Sequence, residues 1–418
     1  MNKSVILYPG PGVGHLTPMV QLAKVFLQHG ADVTVVLVEP LDLSAAVARE
    51  AASNPSITFH VLPPPSSAPE ASNSDGTPKH HIVQIFDSLG AMNEHLRDFL
   101  RSVPSIDAFV IDMFCSDALD VAAELELPVY FFYASAAGDL AIFLHMPSIN
   151  ARMTKSYKSN GILVNSFESL ETRAVRALRD GLCVPDRATP PVYCIGPLVS
   201  AGGGEKEHEC LRWLDAQPDK SVVFLSFGSM GTFPKKQLEE IAIGLEKSGH
   251  RFLWVVRTPP GDDYKLGEPL PEPDLGALLP DGFLERTKET GLVLKSWAPQ
   301  VDVLNHRATG AFVTHCGWNS TLEGVTAGLP LLCWPMYAEQ RMNKMFIVEE
   351  LKLGVELKGY DKEIVQAEVV ETKVKWVMDS EGGRALRECA ESAKKRAAEA
   401  IKKGGSSRVA FAEFLNKL

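Results

Sequence analysis

Residues 297–340 read WAPQVDVLNHRATGAFVTHCGWNSTLEGVTAGLPLLCWPMYAEQ. Two short apolar runs, Ala311–Thr314 and Leu331–Trp334, lie between turn residues and are too brief for helices. Between them Ser320–Ala327 carries helical spacing. Strands that are apolar throughout, joined through a helix, belong to a parallel sheet covered on both faces. The stretch therefore predicts one βαβα unit.

The same alternation extends outward. Ser221–Phe227, Phe252–Val256 and Leu292–Lys295 read as further strands, and Pro234–Ser248 and Asn343–Leu351 as helices. Nearer the amino terminus, Val5–Tyr8, Val33–Val38, Thr58–Leu62, Ala108–Ile111, Pro128–Tyr133 and Ile162–Asn165 form a second strand series. Leu16–His29 and Ile82–Leu100 carry helical patterns among them. Two such series predict an α/β protein with two Rossmann-like, doubly wound parallel-sheet domains and a cleft between them. The expected boundaries are an amino-terminal domain at 1–198, a linker at 199–206 and a second domain at 207–403. The linker lies in the Gly-rich segment GPLVSAGGGE at 196–205. Pro63–Pro78 and Pro259–Pro273 read as loops. A long helix, Arg384–Lys403, stops at Gly404-Gly405. Ser406-Ser407 then offers an N-cap for a last helix, Arg408–Leu418, and residues 404–418 are expected to pack back on the amino-terminal domain.

Charge and composition exclude some classes. A net charge of −10 argues against a nucleic-acid or anionic-membrane surface. No apolar run approaches the ~20 residues that span a bilayer, and the opening MNKSVILYPGPGVGH does not read as a secretory leader. Seven cysteines without a CxxC pair suggest a reduced, cytoplasmic chain with buried thiols.

Taken singly, the polar residues of the opening stretch have ordinary explanations. Trp297 is a core residue or a face on which a flat base stacks. Gly317 permits a tight turn, and the helix start at Asn319 and Ser320 is a simple cap or a site for phosphate, to which His315 adds a hydrogen bond. Glu323 is a solvated carboxylate or an acceptor for a ribose diol. Glu339 and Gln340 either begin a helix or read sugar hydroxyls. At another strand end, Ser229 and the Gly228 backbone form a plain turn or touch a diphosphate. In order, these groups suit the base, ribose, diphosphate and hexose of a nucleotide sugar.

Together they resemble the plant secondary product glycosyltransferase box of UDP-sugar-dependent glycosyltransferases that act on small molecules. The resemblance runs without gaps over residues 297–340. It also takes in Pro9–His15, Val110–Phe114, Val164–Glu168, Trp213-Leu214-Asp215 and Ser226–Ser229. It implies the GT-B fold, with two Rossmann-like domains facing a central cleft. It also implies that Trp297 stacks on uracil beside the Ala298 backbone and Gln300, and that Glu323 holds the ribose. His315, Asn319, Ser320 and Ser229 would hold the diphosphate, and Trp318, Glu339 and Gln340 would meet the sugar. Gln340 and Trp318 favour UDP-glucose over galactose and glucuronic acid donors. UDP-glucose would be a co-substrate, with no metal or other cofactor, and the chain a monomer.

His15 is the expected general base, because it starts the first helix after Gly10-Pro11-Gly12-Val13-Gly14. Asp112 ends the fourth strand, which neighbours the first at the switch point of a doubly wound sheet. It would orient the imidazole and stabilise its cation. Asp117 is a rival carboxylate inside the next helix. The expected reaction is one in-line displacement on a phenolic or flavonoid acceptor, giving an inverted β-glucoside. The acceptor would lie against Phe114, Tyr133, Phe143, Met146 and the segment around Ile82–Phe86, with Ser135 near the sugar. The chain departs from the family around Met146–Ala151, where members carry a longer segment, either deleted from this protein or left out of the sequence with the numbering closed over it. Transfer to carbon by the same base is an alternative. A dinucleotide oxidoreductase built on Gly10-x-Gly12-x-Gly14 and Glu39 has the wrong glycine spacing, and Pro11 intrudes. A non-catalytic UDP-sugar-binding protein would need neither His15 nor Asp112.

Overall fold

In the computed structural model of the chain the described residues are 2–38, 51–65, 72, 77, 79–145, 159–184, 188–203, 207–261 and 270–418. They divide into two compact units, Met1–Leu198 with Ala400–Leu418, and Val199–Glu399. Each unit carries one wholly parallel sheet, as the alternation of apolar strands and helices requires.

The strands of the first unit are β1 (Ser4–Tyr8), β2 (Asp32–Val38), β3 (Thr58–Leu62), β4 (Ala108–Asp112), β5 (Val129–Tyr133), β6 (Gly161–Val164) and β7 (Val192–Cys194). Their order is β3-β2-β1-β4-β5-β6-β7. Every residue of β4 and β5 is buried, because helices cover both faces. The winding reverses between β1 and β4, which pair directly with Tyr8 opposite Ile111. At such a reversal the connections on either side run to opposite faces and leave a crevice at the carboxyl ends.

The second unit repeats the plan with β8 (Val222–Ser226), β9 (Arg251–Val256), β10 (Gly291–Lys295), β11 (Thr309–Thr314), β12 (Leu331–Cys333) and β13 (Gly354–Glu356). Their order, β10-β9-β8-β11-β12-β13, reverses between β8 and β11. Thr314 pairs with Ser226 at the carboxyl end of that junction.

The α/β class with two doubly wound sheets agrees with the sequence reading, while several elements differ from it. The helix expected over Ile82–Leu100 is two helices, His81–Gly90 and Asn93–Ser102. Gly90 is a poor helix former, and its bare Cα lets the Asp117 carboxylate approach; a Cβ there would sit 3.1 Å from Oδ2. Asn93 Nδ2 then donates to the Asp117 carbonyl at 2.9 Å, which fixes the break. Asp117 precedes the helix Ala118–Glu124 rather than lying inside it. The helix expected over Asn343–Leu351 starts earlier, as Gln340–Met345, and continues as a π-helical turn, Phe346–Glu350. The strands β7 and β13 have three residues each, too few for the alternation to show. Six cysteines are buried, but Cys389 is exposed on the long helix Glu381–Ile401. Among the described residues no helix is long and apolar enough to cross a membrane.

The last helix, Ser406–Leu415, is preceded by Gly405 and not capped by a serine side chain. Ser407 lies inside it, and its hydroxyl donates to the Gly196 carbonyl at 2.5 Å. Phe411 and Phe414 are buried against Phe26, and Phe414 also meets Tyr130 and Tyr193 at ring separations of 4.9 and 5.6 Å. These rings cover one face of the first sheet. Phe414→Ala should therefore cost about 3–5 kcal/mol in the stability of this unit. A urea titration followed by tyrosine fluorescence checks it, and an unchanged first transition would contradict the packing role.

Candidate active site

The crevice of the first unit brings His15 and Asp112 together although they are 97 residues apart in sequence. β1 leads through Gly10 and Gly12 into the helix Val13–Gln28, so His15 stands in its first turn. Asp112, wholly buried, is the last residue of β4. His15 Nδ1 donates to Asp112 Oδ2 at 2.8 Å, while Asp112 Oδ1 accepts the Phe114 N–H at 2.9 Å. With both carboxylate oxygens engaged, the imidazole is fixed in the tautomer that leaves Nε2 as the basic nitrogen. Gly10 makes room for this pair. A Cβ there would meet Asp112 Oδ1 at 2.6 Å and crowd the His15 ring at 3.4 Å.

His15 keeps 24% side-chain exposure, so the ring can reach a reactant. Phe114 packs edge-on against it at 5.0 Å and meets Phe86 at 5.6 Å. Phe86 belongs to the helix His81–Gly90. Tyr133 and Phe143 form a separate aromatic pair at 6.2 Å. The Ser135 hydroxyl is buried and donates to Asp139 Oδ2 at 2.8 Å, so it serves the start of the helix Ala137–His145. Met146 and Glu39 lie outside the described residues.

In the second unit the singled-out residues sit on the loops that leave the carboxyl ends of β8, β10, β11 and β12 and on the helices that follow β10, β11 and β12. Ser229 follows β8 and is exposed. His315 follows β11 and is 7% exposed. Its ring enters a gap between two glycines. A Cβ on Gly228 would stand 2.6 Å from His315 Nε2, and one on Gly317 would stand 2.4 Å away. Nδ1 is buried with no hydrogen-bond partner among the described residues. Desolvation pushes the His315 pKa down to about 4, so the ring is neutral at physiological pH. It can offer a neutral donor or acceptor to an anion, without a net charge of its own.

The helix Trp318–Ala327 starts one residue after Gly317, with no side-chain cap, and its first intrahelical bond runs from Thr321 N–H to the Gly317 carbonyl at 2.9 Å. Asn319 and Ser320 are therefore first-turn residues whose N–H groups precede the hydrogen-bonded ladder. Trp318 is buried, at 2% exposure. Gln300 opens the helix Gln300–Asn305 and donates from Nε2 to Ser320 Oγ at 2.9 Å and Glu323 Oε2 at 2.6 Å. Glu323 remains partly exposed as a residue, yet desolvation of its carboxylate pushes the pKa up to about 7, against the opposing Gln300 bond.

Trp297 is 40% exposed, while Ala298 beside it is buried. Gln340 is buried, and its Oε1 accepts the Met336 and Tyr337 N–H groups at 2.8 and 3.0 Å. Glu339 precedes the same helix without capping it. Met230 and Tyr337 are also exposed, at 56% and 39%, on loops after β8 and β12. A large apolar side chain left open at a strand end suits a ligand face.

Two supports escaped the sequence reading. Asn343, wholly buried, donates from Nδ2 to the Cys316 carbonyl at 3.0 Å and so steadies the His315 turn. Arg257 donates to the Ser296 carbonyl at 2.9 Å, just before Trp297. Asn343 follows Gln340 by nearly one helical turn, which is a weak signal; Arg257 follows a strand like many other residues.

The family profile described as "UDP-glucoronosyl and UDP-glucosyl transferase" matches residues 157–386. An anthocyanidin 5,3-O-glucosyltransferase from a Rosa hybrid cultivar is 40% identical, over 99% of this chain and 98% of that protein. The alignment runs over 474 positions, more than this chain's 418 residues, so the relative carries additional residues. A phloretin 2'-O-glucosyltransferase from Pyrus communis is 38% identical over the whole of both chains. The structure of Phytolacca americana UGT2 complexed with UDP-2fluoro-glucose and pterostilbene superposes with a TM-score of 0.86 at 32% identity, over 99% of each chain. The two parallel sheets are thus those of a GT-B protein, and the chain belongs to the UDP-glycosyltransferase family, among the plant enzymes of secondary metabolism.

Proposed function

We propose that the protein transfers glucose from UDP-glucose to a hydroxyl of a small phenolic acceptor, inverting the anomeric carbon. The observation that carries this reading is the 2.8 Å bond from His15 Nδ1 to the buried Asp112 carboxylate. It leaves Nε2 to take the acceptor's proton, while Asp112 stabilises the imidazolium that forms. The acceptor oxygen bonds to the anomeric carbon, the bond from that carbon to the β-phosphate oxygen breaks, and UDP leaves with the electron pair. First-turn N–H groups of Trp318–Ala327 and the neutral His315 would stabilise the diphosphate.

The donor assignment rests on an ordered set of groups. Exposed Trp297 offers a face to uracil, and Glu323, bridged to Ser320 through Gln300, accepts from the ribose diol. Gln340, whose Oε1 is committed to the Met336 and Tyr337 N–H groups, would have its amide nitrogen to offer to the sugar, beside Glu339. Acceptor class is supported by Phe114, edge-on to His15 and backed by the buried Phe86 ring. The names anthocyanidin, phloretin and pterostilbene, printed for the relatives, all denote compounds with phenolic rings.

His15→Ala should lower turnover of phloretin with UDP-glucose by about 100-fold to 10,000-fold, the usual contribution of a positioned base. UDP binding measured by calorimetry should be unchanged. Turnover at the wild-type rate would remove His15 from the mechanism. Gly10→Ala should act through the same pair: the added methyl displaces Asp112, and turnover falls by at least about tenfold while the fold is retained. Wild-type activity with an intact circular dichroism spectrum would contradict this.

Glu323 gives a pH dependence with a definite sign. Its free-state pKa is about 7, and a diol donating two hydrogen bonds favours the ionised carboxylate. Donor affinity should therefore rise as pH increases through about 7. UDP-glucose, which has no titrating phosphate in this range, should bind about tenfold more weakly at about pH 6 than at about pH 8. Glu323→Gln should flatten that difference; equal slopes for both proteins would contradict the ribose role.

A further inference from the structure

Next to the base platform stands a histidine that neither the sequence motif nor the mechanism uses. His208 precedes the helix Glu209–Asp215 and caps it: its Nδ1 accepts the Cys210 N–H at 3.3 Å. The Cys210 sulfur lies 3.0 Å from the same nitrogen. Burial pushes the Cys210 pKa up to about 12, so the thiol keeps its proton and donates it as well. With two donors aimed at Nδ1, the ring proton resides on Nε2. The ring orientation is thus set from behind, by the helix it caps. The ring also meets Trp297, edge to face, with ring centroids 5.7 Å apart and planes at 72°.

Trp297 is 40% exposed and follows Ser296, which holds a positive φ of 63°. The imidazole lies against the indole, so rotamers of Trp297 that would cross its position are excluded. We propose that His208 is a positioning residue for the donor's base: it orders Trp297 before UDP-sugar arrives, so that stacking costs less conformational entropy. The proposal rests on the reading of Trp297 as the uracil platform and adds to it the group that presets the platform. His208 acts through Trp297, so it should affect binding of the nucleotide and leave the chemical step alone.

The test compares inhibition constants of UDP and inorganic pyrophosphate for wild type, His208→Ala, His208→Phe and Trp297→Ala, alongside kcat at saturating UDP-glucose. His208→Ala should weaken UDP by about fivefold, the value of one edge-to-face ring contact. Pyrophosphate inhibition and kcat should stay at wild-type values, since neither involves the base. His208→Phe keeps a ring against Trp297 and should recover most of the UDP affinity. If His208→Ala weakens pyrophosphate as much as UDP, the residue serves the general structure of the unit and the proposal is overturned. UDP affinity lost in Trp297→Ala but unchanged in His208→Ala overturns the proposal alone. Affinity unchanged in both overturns the base-platform reading beneath it. Thermal melting of each variant separates these outcomes from failure to fold.

Discussion

Both candidate sites depend on the reversal of winding in a parallel sheet. A right-handed crossover carries each helix to one face, and the face changes only when the chain returns to the other side of its first strand. In the first sheet that place is β1 against β4, and in the second it is β8 against β11. The crossovers on either side of that place diverge to opposite faces, so loops at the junction can hold side chains toward a ligand. His15 and Asp112 occupy one junction. Gly228, Ser229 and the His315–Ser320 turn occupy the other.

The two junctions use the same physical device for different ends. Each packs a histidine against glycine, because only a missing Cβ leaves room for the ring or its partner. At the first, Gly10 lets a buried carboxylate hold His15, the arrangement that the proposed proton transfer requires. At the second, Gly228 and Gly317 admit His315 into a buried gap with no acid beside it among the described residues, and desolvation keeps that ring neutral. A base needs a partner for the cation it becomes. A group that contacts a leaving diphosphate is better fixed in one form. Gln300 extends the second arrangement by joining Ser320 to Glu323, so the groups proposed for phosphate and ribose share one hydrogen-bonded support.

Much of this was legible in the sequence, for a specific reason. Strand order in a doubly wound sheet follows from topology rules, so the end of the first strand and the end of the fourth meet whatever lies between. That is why His15 and Asp112 could be paired before any coordinates. What escaped the sequence depends on contacts through space. Gly10 looks like one more turn glycine until the Asp112 oxygen is seen 2.6 Å from where its Cβ would be. The break after Gly90 depends on Asp117, a residue of a later segment. The Ser135 bond to Asp139 likewise joins a residue after a strand to one in the next helix, which spacing alone does not reveal. The bonds from Gln300 to Ser320 and Glu323 also join residues 20 and 23 positions apart, beyond any local pattern. Burial of Trp318 also had no signature in the alternation of apolar residues.

The central claim is that one base-assisted displacement, organised by His15 and Asp112, moves the sugar directly from diphosphate to acceptor. The configuration of the product tests it most directly. Proton NMR of the glucoside formed from UDP-glucose, which is an α-glycoside, reads the coupling between H1 and H2 of the transferred glucose. A single displacement predicts the large diaxial coupling of a β-glucoside. The small coupling of an α-glucoside would mean retention, by a covalent intermediate or attack from the leaving-group face, and would contradict the account.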